Sequence, residues 1–226
     1  FIGGCLLYWS SHLKVDTNSD YMEAVAIGDG RLSLRQGFLR VASSLGVVAT
    51  GGSLGREGPI IHLAAMQASF LGRFFQLDSK RLRLLVACGA AAGVTAAYHA
   101  PIAGALFIAE IVLGSMAMHV LGPLMLASAT SYITMHAMGF GATLYSPPEM
   151  PFVEYEYWVA VVVLGVLAGI VAPQFLRFLD LCRRNFVALG LPLILRLTLG
   201  GFLLGCVLVW EPWVAGRGDT VIRSFL

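Results

Sequence analysis

Few residues in this chain can do chemistry, and the sharpest group stands together in Gly51-Gly52-Ser53-Leu54-Gly55-Arg56-Glu57-Gly58-Pro59. An arginine and a glutamate are adjacent between two long apolar segments. Ionisable side chains at that depth are costly and usually functional. Glycines close the upstream run. Pro59 opens the downstream one, where a missing N–H costs nothing at the first turn of a helix. Glu57 is therefore expected at a helix N-terminus, or one residue before it. Such a terminus carries roughly +0.5 elementary charge and unpaired N–H groups, so it binds anions. Here the chain brings an anion of its own: the Glu57 carboxylate can fill the site or be displaced from it. The plainer reading of Arg56-Glu57 is a salt bridge tying the loop.

Other residues offer weaker chemistry. Glu110, in Phe107-Ile108-Ala109-Glu110-Ile111, is either a structural hydrogen-bonding group or part of a water or proton path. Thr17 and Ser19 stand before a helix of one or two turns, as N-caps or as hydroxyl donors to an anion. Residues 51–55 also match the G-x-S-x-G pattern of serine hydrolases, with Ser53 as nucleophile. That motif needs a strand-turn-helix setting, and nothing selects a base among His62, His99, His119 and His136. Cys5, Cys88, Cys182 and Cys206 are scattered through apolar sequence without metal-type spacing and read as packing residues.

The elements that must position these groups are helices. Of 226 residues, 58% are hydrophobic and 12% charged. That charged share is about half that of an ordinary soluble domain. Several apolar runs reach the ~20 residues needed to cross a bilayer. The 26 glycines suit helices that pack closely or break in a membrane. The class is an all-α, polytopic membrane protein; a net charge of +2 gives no reason to expect nucleic acid. The pattern predicts helices over 33–50, 58–76, 79–98, 101–114, 116–138, 156–187 and 191–210, with one or two turns over 20–26. Residues 1–13 read as the end of a membrane helix. With Phe at position 1 and no signal peptide, the sequence reads as an internal piece of a longer protein.

Lysine and arginine cluster at 31–40, 73–83 and 177–196, whereas the 137–157 loop has none and carries Glu149, Glu154 and Glu156. The positive-inside rule puts the clusters in the cytoplasm and that loop outside. The helix opening at Pro59 then descends from mid-membrane. A weak echo links Trp9–Ser19 with Trp213–Thr220, on elements of opposite orientation. Inverted repeats with broken helices are a recurrent transporter plan. The expected division is a first repeat at 1–142, truncated at its start, an external or periplasmic loop at 143–155, and the start of a second repeat at 156–226.

Gly55-Arg56-Glu57-Gly58-Pro59 resembles the signature of the CLC family of chloride channels and chloride–proton exchangers. Cys88-Gly89-Ala90-Ala91-Ala92-Gly93, Ala100-Pro101-Ile102-Ala103-Gly104 and Phe107-Ile108-Ala109-Glu110 resemble that family as well, at matching spacing, and the likeness is greatest to its bacterial ClcB-like branch. The resemblance covers almost the whole chain. It implies a voltage- or pH-sensitive chloride pathway in a bacterial inner membrane, no cofactor, and no enzymatic activity. It also implies a homodimer with one pathway per subunit, joined through 101–137. Backbone N–H groups at Arg56, Glu57 and Gly58 would hold the outer anion, and Glu57 would be the gate.

The chain departs from the family pattern in three places. The family's G-S-G-I-P motif falls near Asp16–Asp20, where the sequence is Asp-Thr-Asn-Ser-Asp; Thr17 best matches the anion-binding serine, with Ser19 second. The internal proton-transfer glutamate of the exchangers would follow Glu110, but Ile111 is there. This favours a passive channel, with an exchanger using Glu110 or a water wire as the alternative. The G-x-F-x-P motif and the anion-coordinating tyrosine belong to a second half that this stretch does not include, so only half of a pathway is expected here.

Overall fold

The computed structural model describes residues 3, 5, 8, 9, 20–141, 155–214, 216, 218, 221, 222 and 224. Among these there are helices and no β-strand. The order is α1 (Tyr21–Ala26), α2 (Leu34–Ala49), α3 (Glu57–Phe74), α4 (Ser79–Tyr98), α5 (Pro101–Phe107), a π-helical turn (Ile108–Val112), α6 (Met118–Ala137), α7 (Tyr155–Ala188), α8 (Leu193–Trp210) and a 3₁₀ turn (Pro212–Val214). The helices expected between residues 20 and 210 are present with ends shifted by a residue or two, except over 101–114; the helix end expected over 1–13 lies mostly outside the described residues. The loop assigned to 143–155 lies, but for Tyr155, outside the described residues.

Two boundaries matter for the site. The first is the end of α2. Gly52 N–H donates to the Val47 carbonyl at 2.9 Å and Gly51 N–H to Val48 at 3.1 Å, the paired bonds of a Schellman cap. Gly51 has φ +86°, and a Cβ on Gly52 would lie 2.6 Å from Val47 Cγ1 and 2.7 Å from its carbonyl oxygen. Both glycines are therefore required by geometry. The second boundary is the start of α3. The sequence reading put Glu57 at the helix N-terminus or one residue before it, and the helix begins at Glu57, with Arg56 as N-cap in αR conformation. Pro59 is its third residue. The first N–H groups of a helix all lack an intrahelical partner, so proline is tolerated there as well.

The core lies where α3, α4, α5 and α6 meet. Small residues allow close approach, as in membrane helix packing. A Cβ on Gly93 of α4 would sit 2.8 Å from Ile61 Cα, and one on Gly89 would sit 2.6 Å from Ala68 Cβ. Ser131 of α6 donates to the Ala92 carbonyl at 2.9 Å. His99, with φ 57°, ends α4 in the left-handed region and Pro101 starts α5. The expected helix over 101–114 is instead an α-helix to Phe107 followed by a π turn that contains Glu110.

The short helix α1 is fixed at both ends. The Asp20 side chain caps its start by accepting from Met22 N–H at 3.1 Å. At its far end Arg83 Nε donates to the Val25 carbonyl at 2.8 Å, a cation where a helix C-terminus favours one. Buried Ser69 of α3 donates to the Gly30 carbonyl at 2.7 Å and accepts from Leu32 N–H at 2.9 Å, which holds the connection from α1 to α2 against α3. By contrast, α7 and α8 expose apolar side chains all round. The stretches Trp158–Ala188 and Leu193–Trp210 are long and apolar enough to cross a membrane.

Candidate functional site

The site is built around the first turn of α3. Glu57 is half-buried there, between exposed Gly55 and Gly58. Its carboxylate folds back over the preceding loop: a Cβ on Gly55 would collide with Glu57 Oε2 and lie 3.2 Å from Cδ. Gly55 thus leaves the space that the carboxylate occupies. Gly58, next in the chain, is exposed, and a Cβ there would meet nothing within 4 Å. Arg56 is half-buried and its Nε, shielded from solvent, has no hydrogen-bond partner among the described residues.

The loop before Glu57 is tied at a distance. Ser53 Oγ donates to the Val214 carbonyl, and Gly216 N–H donates to the Gly51 carbonyl at 3.3 Å. The Ser53 proton is thus engaged on a main-chain oxygen. The G-x-S-x-G match lies between two helices, not between a strand and a helix, so the nucleophile reading lacks its required setting.

A cavity of about 220 Å³ adjoins the start of α3, lined by Asp20, Tyr21, Arg40, Val41, Ser44, Gly58, Pro59 and His62. A second of about 470 Å³ lies between α1, α3, α4 and α5, lined by apolar and aromatic side chains including Ile61, Tyr98 and Phe107. Arg56, Glu57 and Gly58 are consecutive at the N-cap and first turn of α3. Thr17 and Ser19 lie outside the described residues. Glu110 is exposed in the π turn and lines neither cavity; Ile111 beside it is also exposed. The sequence reading singled out no histidine and used Arg40 only in the basic cluster at 31–40. The missed signal is the four-residue spacing from Gly58 to His62, which puts both on one face of α3.

The described residues form an all-α arrangement with two helices long and apolar enough to cross a membrane, as in a polytopic membrane protein. The model of the family described as voltage gated chloride channel matches residues 1–226, and the chain belongs to that family. It is 46% identical over 212 residues to a ClcB-like chloride channel protein of Ralstonia nicotianae, covering 92% of this chain and 49% of that protein. It is 37% identical over 209 residues to the voltage-gated ClC-type chloride channel ClcB of Escherichia coli, covering 92% of this chain and 50% of that protein. The ClcB of Shigella flexneri matches to the same extent. The chain spans about half the length of the curated relatives it matches.

Proposed function

We propose that this chain forms half of a chloride pathway in which the Glu57 carboxylate is the gate. The observation that carries this reading is the carboxylate folded over Gly55 at the start of α3, next to the open space at Gly58. An ionised Glu57 competes with chloride for the same first-turn N–H donors, those of Arg56, Glu57 and Gly58. Protonation removes its charge and with it most of its hold on the site. Thr17, or Ser19 in its place, supplies a hydroxyl from the start of the preceding element. The pathway needs no cofactor, chloride is its cargo, and the protein transports without catalysing a reaction. It works in the inner membrane of a bacterium as a homodimer joined through residues 101–137, a region that exposes Ile102, Leu126 and Ile133.

The passive channel is favoured over the exchanger because Ile111 cannot carry a proton where the exchangers of this family place a glutamate. The test is the reversal potential of chloride current through the full-length protein under a pH gradient. A channel stays at the chloride Nernst potential whatever the proton gradient. A shift with pH would establish the exchanger, with Glu110 in its π turn as the first residue to examine, since such turns are frequent at functional sites.

A further inference from the structure

We propose that the groove between α2 and α8 is a binding site for an anionic phospholipid of the cytoplasmic leaflet, its phosphate on Arg196 and one acyl chain along the glycines of α8. The site does not depend on how Glu57 works. The groove encloses about 570 Å³, within the range of about 300–1,000 Å³ in which proteins hold small ligands. Its lining is mostly apolar and includes Ser44 and Val47 of α2, Phe186 of α7, and Gly201, Leu204 and Leu208 of α8.

Among the described residues that line the groove, Arg196 is the one charged side chain. It stands in the first turn of α8. One terminal nitrogen, Nη2, donates to the Leu191 carbonyl at 2.9 Å, which fixes the plane of the guanidinium. Nε is shielded from solvent and has no hydrogen-bond partner among the described residues. No carboxylate lines the groove to balance the charge. A cation shielded from water without an anion is costly, and a phosphate meets a guanidinium through two parallel hydrogen bonds. The arginines just upstream are engaged elsewhere: Arg183 and Arg184 both pair with Asp180, at 3.7 Å and 2.7 Å.

The depth of the groove identifies a lipid rather than a helix. From Arg196 to Leu208 it follows α8 for about 18 Å at 1.5 Å per residue. One leaflet of a hydrocarbon core ~30 Å thick has about half that core's depth. At the far end the two walls are tied together, Ser53 Oγ donating to the Val214 carbonyl and Gly216 N–H to the Gly51 carbonyl. A channel of single-leaflet depth, charged at one end and tied at the other, suits a headgroup and its tail; a membrane-crossing helix needs the whole thickness. Gly200, Gly201 and Gly205 leave room along the wall, where an added Cβ would meet nothing within 4 Å. The basic cluster at 177–196 puts Arg196 on the cytoplasmic side by the positive-inside rule, and basic pockets between membrane helices on that side take anionic headgroups.

The experiment places the full-length protein in liposomes with a phosphatidylglycerol that carries a photoreactive diazirine in its acyl chain, and maps the adducts by mass spectrometry. Adducts are expected on α8 within residues 197–208 and on the facing part of α2. Excess phosphatidylglycerol should displace them and phosphatidylcholine should not. Arg196→Gln is expected to lower them about fivefold, the worth of one basic side chain beside an anionic headgroup, with labelling of exposed α7 unchanged. Arg196→Lys is expected to retain most of them. Gly201→Leu, which fills the groove and leaves the charge, is expected to remove them. Equal displacement by phosphatidylcholine, or adducts unaltered in Arg196→Gln, would mean unselective surrounding lipid and overturns the proposal. Labelling of α7 with none on α2 and α8 overturns it as well, and gives the groove to another part of the full-length protein.

Discussion

A carboxylate controls an anion path only if its resting place is also where the anion binds. The Glu57 carboxylate, proposed above as such a group, rests in a space shaped by the absence of an atom, the Cβ that Gly55 does not have. Gly55→Ala in the full-length protein is expected to push the carboxylate off its seat and raise chloride flux at neutral pH several-fold. The backbone there needs no left-handed conformation, so folding tolerates the methyl group. Glu57→Ala should leave flux intact or faster with its pH dependence reduced, and Glu57→Gln should mimic the protonated state at every pH. Both are read by chloride efflux from liposomes between pH 4 and 8, and a pH profile like that of the unmodified protein would remove Glu57 from the gate.

At the scale of the element, the helices were legible because each signal was local. Ser33 does cap α2, its side chain accepting from Gln36 N–H at 3.4 Å. Proline tolerated in a first turn was enough to put Glu57 at the start of α3 to within a residue. Periodicity cannot register one extra residue wound into a turn, so the π segment at Glu110 read as plain helix. Arg56, Glu57 and Gly58, the proposed anion-site residues, stood out in the sequence because they are contiguous. The cavity of Asp20, Arg40 and His62 was hidden because three elements assemble it. Close packing of α3 on α4 depends on Gly93. Gly93→Leu puts a side chain where Ile61 Cα leaves 2.8 Å and should cost about 1–3 kcal/mol or more. A drop of several degrees in the thermal unfolding midpoint in detergent checks it, and an unchanged midpoint would mean that the helices can part freely.

For the whole molecule, the basic clusters determine which side is which. In a version of the full-length protein lacking native cysteines, a cysteine at Arg81 should react with an impermeant maleimide only from the cytoplasmic side. One at Glu149 should react only from outside. The reverse pattern would invert α3 and turn its N-terminal end toward the other compartment. The apolar surfaces of α7 and α8, bare along Trp158–Ala188 and Leu193–Trp210, suit lipid or further protein, since water at so large an apolar area is unfavourable.

The bonds from Ser53 to Val214 and from Gly216 to Gly51 have a mechanical meaning. They splice the hinge ahead of the gate to a segment some 160 positions later in the chain, as the 161-residue separation of Ser53 and Val214 shows. The turn after α8 and the Gly51–Ser53 segment are thus coupled by two hydrogen bonds. If Glu57 gates as proposed, sequence changes around Trp213 should alter chloride flux.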